Sequence, residues 1–338
     1  MPKFGLPGRI ARLFVTAAGR RAALGTLLAT LAVGGCSWSE HAQPPALPAP
    51  AVVTHAAHTP LTRHVVVVSV DGLRPDAIDS AGTPTLQRLI AQGSASLVAS
   101  TILPSKTLPS HASMLTGLLP ARHGVTWNTD ETATEGVVQV PTVFSLAHAR
   151  GLQTAAVFGK AKFHHLEVPG SLDFVRSPAT DAESWTVDVT VPLVEAYLAT
   201  ERPNLLFVHV GEPDYAGHND GWMSAPYLAA VSAADGAVAR VLAAADRAFG
   251  TGEYTLILTA DHGGHDHTHG GDGVDDVTIP WVLWGERVRG GSQLPVRVRT
   301  MDTAATALWL LGLAVPADWD GVPVSEGFEV REAKSGAN

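Results

Sequence analysis

The sequence predicts an α/β fold in which a largely parallel central sheet lies between helices. Short apolar runs alternate along the chain with segments of helical spacing, which is the order expected when helices connect parallel strands. The run at 65–70 is apolar almost without interruption, as is typical of a strand that is buried on both faces. With 46% hydrophobic residues among 338, the chain can build a large core.

The expected strands are short apolar runs, at 64–70, 154–158, 205–210, 254–260 and 279–284. The expected helices combine helical spacing with a proline or glycine near an end, at 83–92, 141–150, 225–249 and 303–313. Gly236 lies inside the third of these helices, and because glycine disfavours a helix we expect a break there. Residues 163–190 lack clear periodicity and are expected to form a small cap insertion.

The first 36 residues have the pattern of a lipoprotein signal. A basic segment precedes an apolar run at 22–33, which is too short for a transmembrane helix. Val33-Gly34-Gly35-Cys36 then resembles the bacterial lipobox. Cys36 is the only cysteine, so it cannot form an internal disulfide, and we expect it to carry a lipid. The alternatives are an incidental cysteine in a cleaved leader and, from Arg20-Arg21, twin-arginine export.

Residues 37–62 are rich in proline and alanine, a composition that predicts a semi-extended tether. We therefore expect an exported protein, anchored through Cys36 to a membrane of the bacterial cell envelope on its periplasmic face. One large domain would follow at 63–332, with a frayed tail at 333–338. The net charge of −9 argues against nucleic acid as a primary partner, and the oligomeric state stays open.

Aspartates follow three of the predicted strands, as Asp71, Asp214 and Asp261. The carboxyl ends of parallel strands meet at one edge of the sheet, where ligands bind in open α/β folds, so these carboxylates should converge. Their mutual repulsion would raise their pKa values, and divalent cations would relieve it. His218 and His262 accompany two of them. Aspartate and histidine without thiolates are typical of catalytic zinc sites with an open position.

A candidate nucleophile lies in a loop and short helix at 104–117. Pro109 suits the first turn of a helix, so Thr107 is expected just ahead of a helix N-terminus, where unpaired N–H groups favour an anion. By itself this stretch favours a capping role for Thr107. The three aspartates that follow strands favour instead a nucleophile that is activated by a metal ion.

Several short motifs occur in an order that resembles the alkaline phosphatase superfamily. The resemblance is closest to its type I phosphodiesterase/nucleotide pyrophosphatase branch and to related phosphatases with a threonine nucleophile. It covers roughly residues 64–312, a span judged from the sequence pattern. The motifs are VDG at 70–72, KTLPSH at 106–111, HGVTWN at 123–128, DYAGH at 214–218, DHG at 261–263 and HG at 269–270.

The resemblance implies an alkaline-phosphatase-like catalytic domain with two zinc ions. One zinc would be held by Asp71, Thr107, Asp261 and His262, and the other by Asp214, His218 and His269. Thr107 would be the nucleophile of a phosphoester hydrolase that forms a phospho-threonine intermediate, and Asn128 would bind a phosphoryl oxygen. His269 is preferred to His265 and His267 because it precedes a glycine, an aspartate and the next strand, as in the family. His111 and His123 are interpreted as structural.

The substrate is a small phosphorylated molecule whose class stays open. Lys160 and Lys162 follow the strand at 154–158, and alternate residues of an extended segment share a face, so both could contact one ligand and favour a phosphomonoester. Their spacing resembles the Lys-x-Arg pair of threonine-type alkaline phosphatases, although lysine lacks arginine's bidentate fork. The alternative is that both lysines lie in solvent on a loop and contact no ligand.

Other classes of function also remain open at this level. A phosphonoacetate-type hydrolase would use the same residues, and a non-catalytic lipoprotein could bind a phosphorylated ligand at a relict site. A sulfatase is excluded because it needs cysteine or serine where Thr107 stands. The short cap and the lack of a cysteine framework differ from the larger animal members of the family, which argues against a nucleotide substrate.

Overall fold

The fold is built around one eight-stranded sheet that is flanked by helices. The structure is a computed structural model that describes residues 56–183, 185–295 and 297–329. The predicted signal with Cys36, most of the tether and the tail at 333–338 lie outside these residues. The strands are β1 (Val65–Val70), β2 (Ser94–Ser100), β3 (Thr154–Val157), β4 (Phe174–Arg176), β5 (Leu205–Val210), β6 (Thr255–Thr259), β7 (Thr278–Gly285) and β8 (Ser292–Gln293).

The spatial order of the strands is β4-β3-β5-β1-β6-β7-β2-β8. Strand β7 runs antiparallel to its neighbours β6 and β2, whereas the other pairs of the described sheet are parallel. The predicted α/β fold with a largely parallel sheet is therefore confirmed. Every residue of β1 and of β5 is buried, and for β1 the nearly continuous apolar run had indicated this.

The helices connect these strands. They are α1 (Pro75–Ser80), α2 (Pro84–Gln92), α3 (Thr107–Thr116), α4 (Pro120–His123), α5 (Thr132–Glu135), α6 (Val143–His148), α7 (Val187–Thr200), α8 (Glu212–Asp220), α9 (Ala225–Phe249), α10 (Val274–Val277) and α11 (Asp302–Leu310). Two 3-10 helices, Ala161–Leu166 and Ser325–Gly327, complete the described secondary structure.

Helix α9 runs unbroken through Gly236, so the expected break is wrong. The helix is rich in alanine and packs against α7 and α8, and this outweighs the cost of one glycine, about 1 kcal/mol. By length and hydropathy α9 could cross a membrane, but half of its apolar window is buried inside the protein (50%). In this fold α9 is therefore a core helix.

The longest elements that were not predicted are β2, α7 and α8. Strand β2 reads Ser-Ala-Ser-Leu-Val-Ala-Ser and exposes Leu97 and Val98, so it has neither a continuous apolar run nor a clean alternation. Helix α7 is apolar around most of its circumference and contains Pro192, which weakens the helical pattern. Residues 163–190, expected as a small cap, also supply the edge strand β4 and the first turn of α7.

The strand order determines where the three predicted aspartates emerge from the sheet. Strands β5, β1 and β6 are adjacent and parallel, with Val70 opposite Val210 and Ser69 opposite Thr259. Their carboxyl ends therefore open at the same edge of the sheet, and the residues that follow them emerge side by side. The Asp71 amide donates to the Val210 carbonyl at 2.8 Å, which extends the β1–β5 ladder to the first residue of the site.

Candidate active site

The three predicted aspartates lie together at this edge and are buried. Asp71 and Asp261 are 0% exposed, and Asp214, in the first turn of α8, is 3% exposed. Their carboxylates are linked through shared partners, because His262 Nε2 is 3.3 Å from Asp71 Oδ1 and 3.2 Å from Asp261 Oδ2. Three carboxylates in so little space require compensating positive charge.

The first group of potential metal ligands comprises Asp71, Asp261, His262 and Thr107. The Thr107 hydroxyl lies 3.2 Å from His262 Nε2, which in turn faces both carboxylates. His262 Nδ1 donates to the Gly263 carbonyl at 2.8 Å. Because a carbonyl only accepts, the proton is on Nδ1, and the Nε2 lone pair is left for a metal ion. Burial lowers the pKa of His262, which also favours the neutral ring.

The second group comprises Asp214, His218 and His269. Asp214 Oδ1 lies 3.4 Å from His218 Nε2 and 3.6 Å from His269 Nε2, and the two ring nitrogens are 3.1 Å apart. His269 Nδ1 donates to the Ser105 carbonyl at 2.8 Å, and His218 Nδ1 to the His267 carbonyl at 3.0 Å. Both rings therefore turn an unprotonated Nε2 toward Asp214. In the first group His262 turns its Nε2 toward Asp71 and Asp261 in the same way.

The loop histidines have separate partners. His265 Nδ1 lies 2.6 Å from Asp276 Oδ1, and His267 Nδ1 contacts the His218 carbonyl at 3.2 Å. The structure thus places His269, rather than His265 or His267, beside Asp214. The His262 and His269 rings stack with centroids 3.7 Å apart, so the two groups of ligands adjoin.

The donor atoms fit divalent cations such as zinc. Asp71 Oδ1, Asp214 Oδ1 and Asp261 Oδ2 are buried and have no hydrogen-bond partner among the described residues. A buried carboxylate oxygen in that condition is costly unless a cation binds it. Burial, and next the charge of Asp71, raise the pKa of Asp261 well above its ordinary value. Carboxylate oxygens together with imidazole nitrogens form a typical catalytic zinc set.

Lys160 and His209 contact the other carboxylate oxygens of Asp71 and Asp214. Lys160 Nζ lies 2.5 Å from Oδ2 of Asp71 and 2.5 Å from Oδ2 of Asp214, and His209 Nε2 lies 3.0 Å from Asp71 Oδ2. Burial would raise the pKa of Asp71, but Lys160 and His209 outweigh it and hold that pKa well below its usual range. Asp71 and Asp214 therefore each have Oδ2 paired and leave Oδ1 for a metal ion.

Lys160 and Lys162 were predicted to lie on one extended segment, and this prediction of the backbone is wrong. The chain enters the 3-10 helix directly after Lys160, so the alternation that was to align Lys160 with Lys162 does not apply. Both lysines line the same cavity, but Lys160 is paired with carboxylates, and Lys162 is half-buried without an ion pair among the described residues. Burial, and next the charge of Lys160, lower the pKa of Lys162.

His209 was missed in the sequence. It lies inside the apolar run of β5 and is fully buried, where a single histidine resembles any other core residue. The available signal was its polarity within an otherwise apolar strand, five residues before Asp214. A ring that donates to a ligand carboxylate orients that carboxylate and tunes its basicity.

Thr107 is the first residue of α3 rather than the residue ahead of it, and Lys106 occupies the cap position. His111 fixes this turn, because its Nδ1 donates to the Thr107 carbonyl at 2.8 Å and its Nε2 lies 2.9 Å from the Ser69 hydroxyl. Burial, and next His209, lower the pKa of His111 well below its usual value, so the ring is neutral. His111 thereby holds the backbone that carries the candidate nucleophile.

Asn128 is oriented by the same helix. Its Oδ1 accepts the Leu108 N–H at 2.9 Å, so its NH₂ group is the donor left for a ligand. Pro109 has no N–H, and the Ser110 N–H bonds to the Lys106 carbonyl. Few backbone N–H groups are therefore left at Leu108–Ser110 for the predicted anion binding, whereas the Asn128 NH₂ group lies at the cavity without a hydrogen-bond partner among the described residues.

A cavity of about 310 Å³ opens over these groups, a size suited to a small phosphorylated molecule. Thr107, Asn128 and Lys162 line it together with the second ligand group. Tyr215 forms part of the wall, with its ring 4.9 Å from Lys160 Nζ. Burial raises the pKa of Tyr215 to about 12, so its hydroxyl stays protonated at neutral pH.

Known proteins share this fold and sequence pattern. The chain is 28% identical over 319 residues to the human GPI ethanolamine phosphate transferase 2 catalytic subunit, which covers 87% of this chain and 31% of that protein. It is 24% identical over 216 residues to mouse ectonucleotide pyrophosphatase/phosphodiesterase family member 3, covering 59% of this chain and 24% of the relative. The chain thus spans about a quarter to a third of the curated relatives it matches.

Two solved structures share the fold. Murine ectonucleotide pyrophosphatase/phosphodiesterase 5, solved as an inactive threonine-to-alanine variant with AMP, superposes with a TM-score of 0.63 at 17% identity, covering 75% of this chain and 96% of that one. A 2-O GAG sulfatase superposes with a TM-score of 0.62 at 18% identity, covering 79% and 73%. At these identities the likeness establishes the fold alone.

The family match covers most of the chain and includes the candidate site. The sequence pattern of the family described as type I phosphodiesterase / nucleotide pyrophosphatase matches residues 65–278, from the first residue of β1 to the first residue of β7. The match takes in both ligand groups, Thr107 and Asn128. By this match over most of its length, the chain belongs to the type I phosphodiesterase/nucleotide pyrophosphatase family.

Proposed function

We propose that this chain is a metal-dependent phosphoester hydrolase that uses Thr107 as its nucleophile. The observation that carries the proposal is the position of the Thr107 hydroxyl, which is buried, lines the cavity and lies 3.2 Å from His262 Nε2 in a cluster of unpaired ligand atoms. The names of the relatives support the reaction class, since they are phosphodiesterases and a phosphoethanolamine transferase. The inactive variant of the murine relative, a threonine-to-alanine change, supports the role of a threonine.

The chain's own residues would divide the chemistry between them. Two zinc ions, held by Asp71, Thr107, Asp261 and His262 and by Asp214, His218 and His269, would supply the positive charge that favours a threonine alkoxide and stabilises the leaving oxygen. Thr107 Oγ attacks phosphorus and the leaving group departs with the bonding electron pair. Asn128 NH₂ binds a phosphoryl oxygen as negative charge develops. Water then cleaves the phospho-threonine ester and restores the hydroxyl.

The proposal is tested by trapping that ester. Protein saturated with zinc is mixed with an aryl phosphodiester, quenched in acid after milliseconds, digested and analysed by mass spectrometry. We expect a phosphorylated peptide that contains Thr107, and its yield should fall to zero after the metal is removed with a chelator. Turnover that continues without metal, or a phosphorylated peptide from another segment, would contradict the proposal.

A phosphomonoesterase is the second candidate, and Lys162 favours it. This ammonium lines the cavity and has no ion pair among the described residues, so it is available to a phosphate oxygen. A monoester dianion has one more charged oxygen than a diester and gains more from such a cation. The relatives' names favour the diester, so the two substrate classes have to be compared directly.

We also propose that the protein is exported and anchored through a lipid on Cys36. The basic leader, the apolar run and the lipobox-like Val33-Gly34-Gly35-Cys36 support this. Cell fractionation tests it, because Cys36→Ala should move the protein from the membrane fraction to the soluble fraction. Unchanged partitioning of this variant would rule out the anchor.

A further inference from the structure

Two elements that line the cavity are joined behind it by a histidine. One is the segment 127–136, which carries Asn128 in a loop ahead of α5, and the other is the 3-10 helix Ala161–Leu166, which carries Lys162. We propose that His165, on this 3-10 helix, is a positioning residue that fixes Asn128 against the cavity. The inference rests on the proposed role of Asn128 in binding a phosphoryl oxygen.

His165 uses both ring nitrogens to hold the loop. Its Nε2 accepts the Trp127 indole N–H at 3.1 Å and the Glu131 backbone N–H at 2.9 Å. Its Nδ1 donates to the Gly136 carbonyl at 2.6 Å, which assigns the proton to Nδ1 and leaves Nε2 as the acceptor. The His165 carbonyl also accepts the Val138 N–H at 2.8 Å.

These contacts bracket Asn128 on both sides. Trp127 directly precedes it and Glu131 follows three residues later, so one ring atom restrains both flanks of the loop tip. His165 is 0% exposed, which makes the two bonds to its Nε2 costly to exchange for water. A buried ring held at both nitrogens is a rigid anchor for the irregular residues 127–131.

The side chain of Asn128 has few contacts of its own that fix its position. In the described part of the chain, its side chain makes one hydrogen bond, from Leu108 N–H to Oδ1. Its NH₂ group has to meet a phosphoryl oxygen within a few tenths of an ångström, because a displacement of about 1 Å can cost roughly 10²-fold in rate. The anchor behind the loop supplies the accuracy that this single bond does not.

A neighbouring contact is weaker and does not carry the inference. His164 Nδ1 lies 2.8 Å from Asp130 Oδ2, and it ties the same helix to the same loop. Its side chain is 25% exposed and that of Asp130 21%, so solvent competes for this pair. The buried ring of His165 is therefore the residue to test.

The test is a double-mutant cycle between His165 and Asn128. His165→Phe keeps an aromatic ring of similar volume and removes both nitrogens, and we expect kcat/KM to fall by about 10- to 100-fold, mostly in kcat, with full metal content. In an Asn128→Ala background, the same change should cost less than about twofold, because the residue through which it acts is gone. His165→Gln keeps an acceptor and a donor and should recover part of the loss.

His64→Phe is the matched control. His64 is a partly buried histidine whose Nδ1 donates to the Pro203 carbonyl at 2.8 Å, and it stands before β1 at the opposite edge of the sheet. Its replacement removes one bond from a ring Nδ1 to a backbone carbonyl, as His165→Phe does at Gly136, and we expect kcat/KM within about twofold of the wild type. Equal losses in the two variants would reduce His165 to a general contribution to stability and overturn the inference.

Hydrogen exchange provides a readout that is independent of turnover. In His165→Phe, peptides that cover 127–136 should exchange faster than in the wild type, with or without metal, whereas His64→Phe should leave them unchanged. Unchanged exchange, or losses that multiply fully in the Asn128→Ala background, would overturn the inference. A wild type without phosphoesterase activity would refute the proposed function, and the exchange result would still decide whether His165 holds the loop. If His165→Phe does not fold, His165→Gln replaces it in both measurements.

Discussion

The ammonium of Lys160 forms an ion pair with Asp214 inside the protein, with 2.5 Å between Nζ and Oδ2 and side chains that are 8% and 5% exposed. The same ammonium lies 2.5 Å from Asp71 Oδ2. One lysine therefore neutralises a carboxylate from each of the two ligand groups. This position makes Lys160 a part of the carboxylate framework and leaves Lys162 as the lysine available to a substrate.

Removal of Lys160 should destabilise the metal-free protein. Lys160→Met leaves Asp71 and Asp214 buried without their counter-charge, and we expect the free energy of unfolding to fall by about 3–5 kcal/mol. Zinc would supply positive charge to the same carboxylates, so the loss should shrink in the presence of the metal. Chemical denaturation with and without zinc measures both values. Lys162→Met, the control, should cost less than about 1 kcal/mol, and an equal loss in both conditions for Lys160→Met would contradict this account.

Asp261 should be required for metal binding. Asp261→Asn replaces an anionic ligand of the first group by a neutral amide, so we expect the metal content to fall from about two ions per chain to about one, with loss of activity. Asp235→Asn is the control, because Asp235 is also buried but accepts the Thr85 and Leu86 N–H groups at the start of α2. Elemental analysis of the purified proteins gives the metal content. Full activity after exhaustive chelation would contradict the proposal that the reaction depends on bound metal ions.

Thr107 should be required for the chemical step. Thr107→Ala is expected to lower kcat by at least about 10³-fold while fold and metal content are retained, because the substitution removes the nucleophilic hydroxyl. Thr107→Ser keeps a hydroxyl and should retain part of the rate. Thr116→Ala is the control in the same helix, since this buried hydroxyl donates to the Ala112 carbonyl at 2.6 Å. Rates like those of the wild type in Thr107→Ala would exclude nucleophilic catalysis by this residue.

Lys162 should distinguish monoesters from diesters. An aryl phosphate carries one more charged oxygen than its methyl diester, so Lys162→Ala should reduce kcat/KM for the monoester at least about tenfold more than for the diester. The diester is the internal control, because both substrates release the same aryl group. Equal losses on the two substrates would show that Lys162 does not contact the additional oxygen and would leave the phosphodiesterase ahead.

His123 should make stability depend on pH. Burial lowers its pKa from 6.5 to about 4, although the Asp320 carboxylate opposes this, and Nδ1 accepts the Val125 N–H at 3.1 Å. Between pH 6.5 and about 4, His123 is protonated in the unfolded chain but neutral in the folded chain. The folded state therefore loses stability as the pH falls from 6.5 toward 4. The loss between pH 7 and pH 4.5 should be about 2 kcal/mol.

The measurement is the free energy of unfolding at these two pH values. His123→Gln has no group that titrates in this range, so its stability should decline by about 2 kcal/mol less than that of the wild type. Parallel declines in the two proteins would show that His123 does not titrate as the burial of its ring implies.

The local character of the chain was determined by the sequence itself. The apolar runs of β1 and β5 predicted strands, that of β1 a strand buried on both faces, and the fold class follows from the alternation of such runs with helices. The aspartates after the strands predicted their own convergence, because parallel strands share one carboxyl edge. The motif order predicted the family. These features depend on period, composition and spacing, which are readable without knowledge of the partners.

Only the tertiary structure decided what lies opposite those residues. The order β5-β1-β6, the ion pair of Lys160, the bond from His209 to Asp71 and the anchor of Asn128 by His165 all join residues distant in sequence. The extended backbone expected at Lys160–Lys162 was wrong for the same reason, since the chain turns into a 3-10 helix there. Local propensity does not specify such contacts, because they form only when packing of the core brings the strands and helices into register.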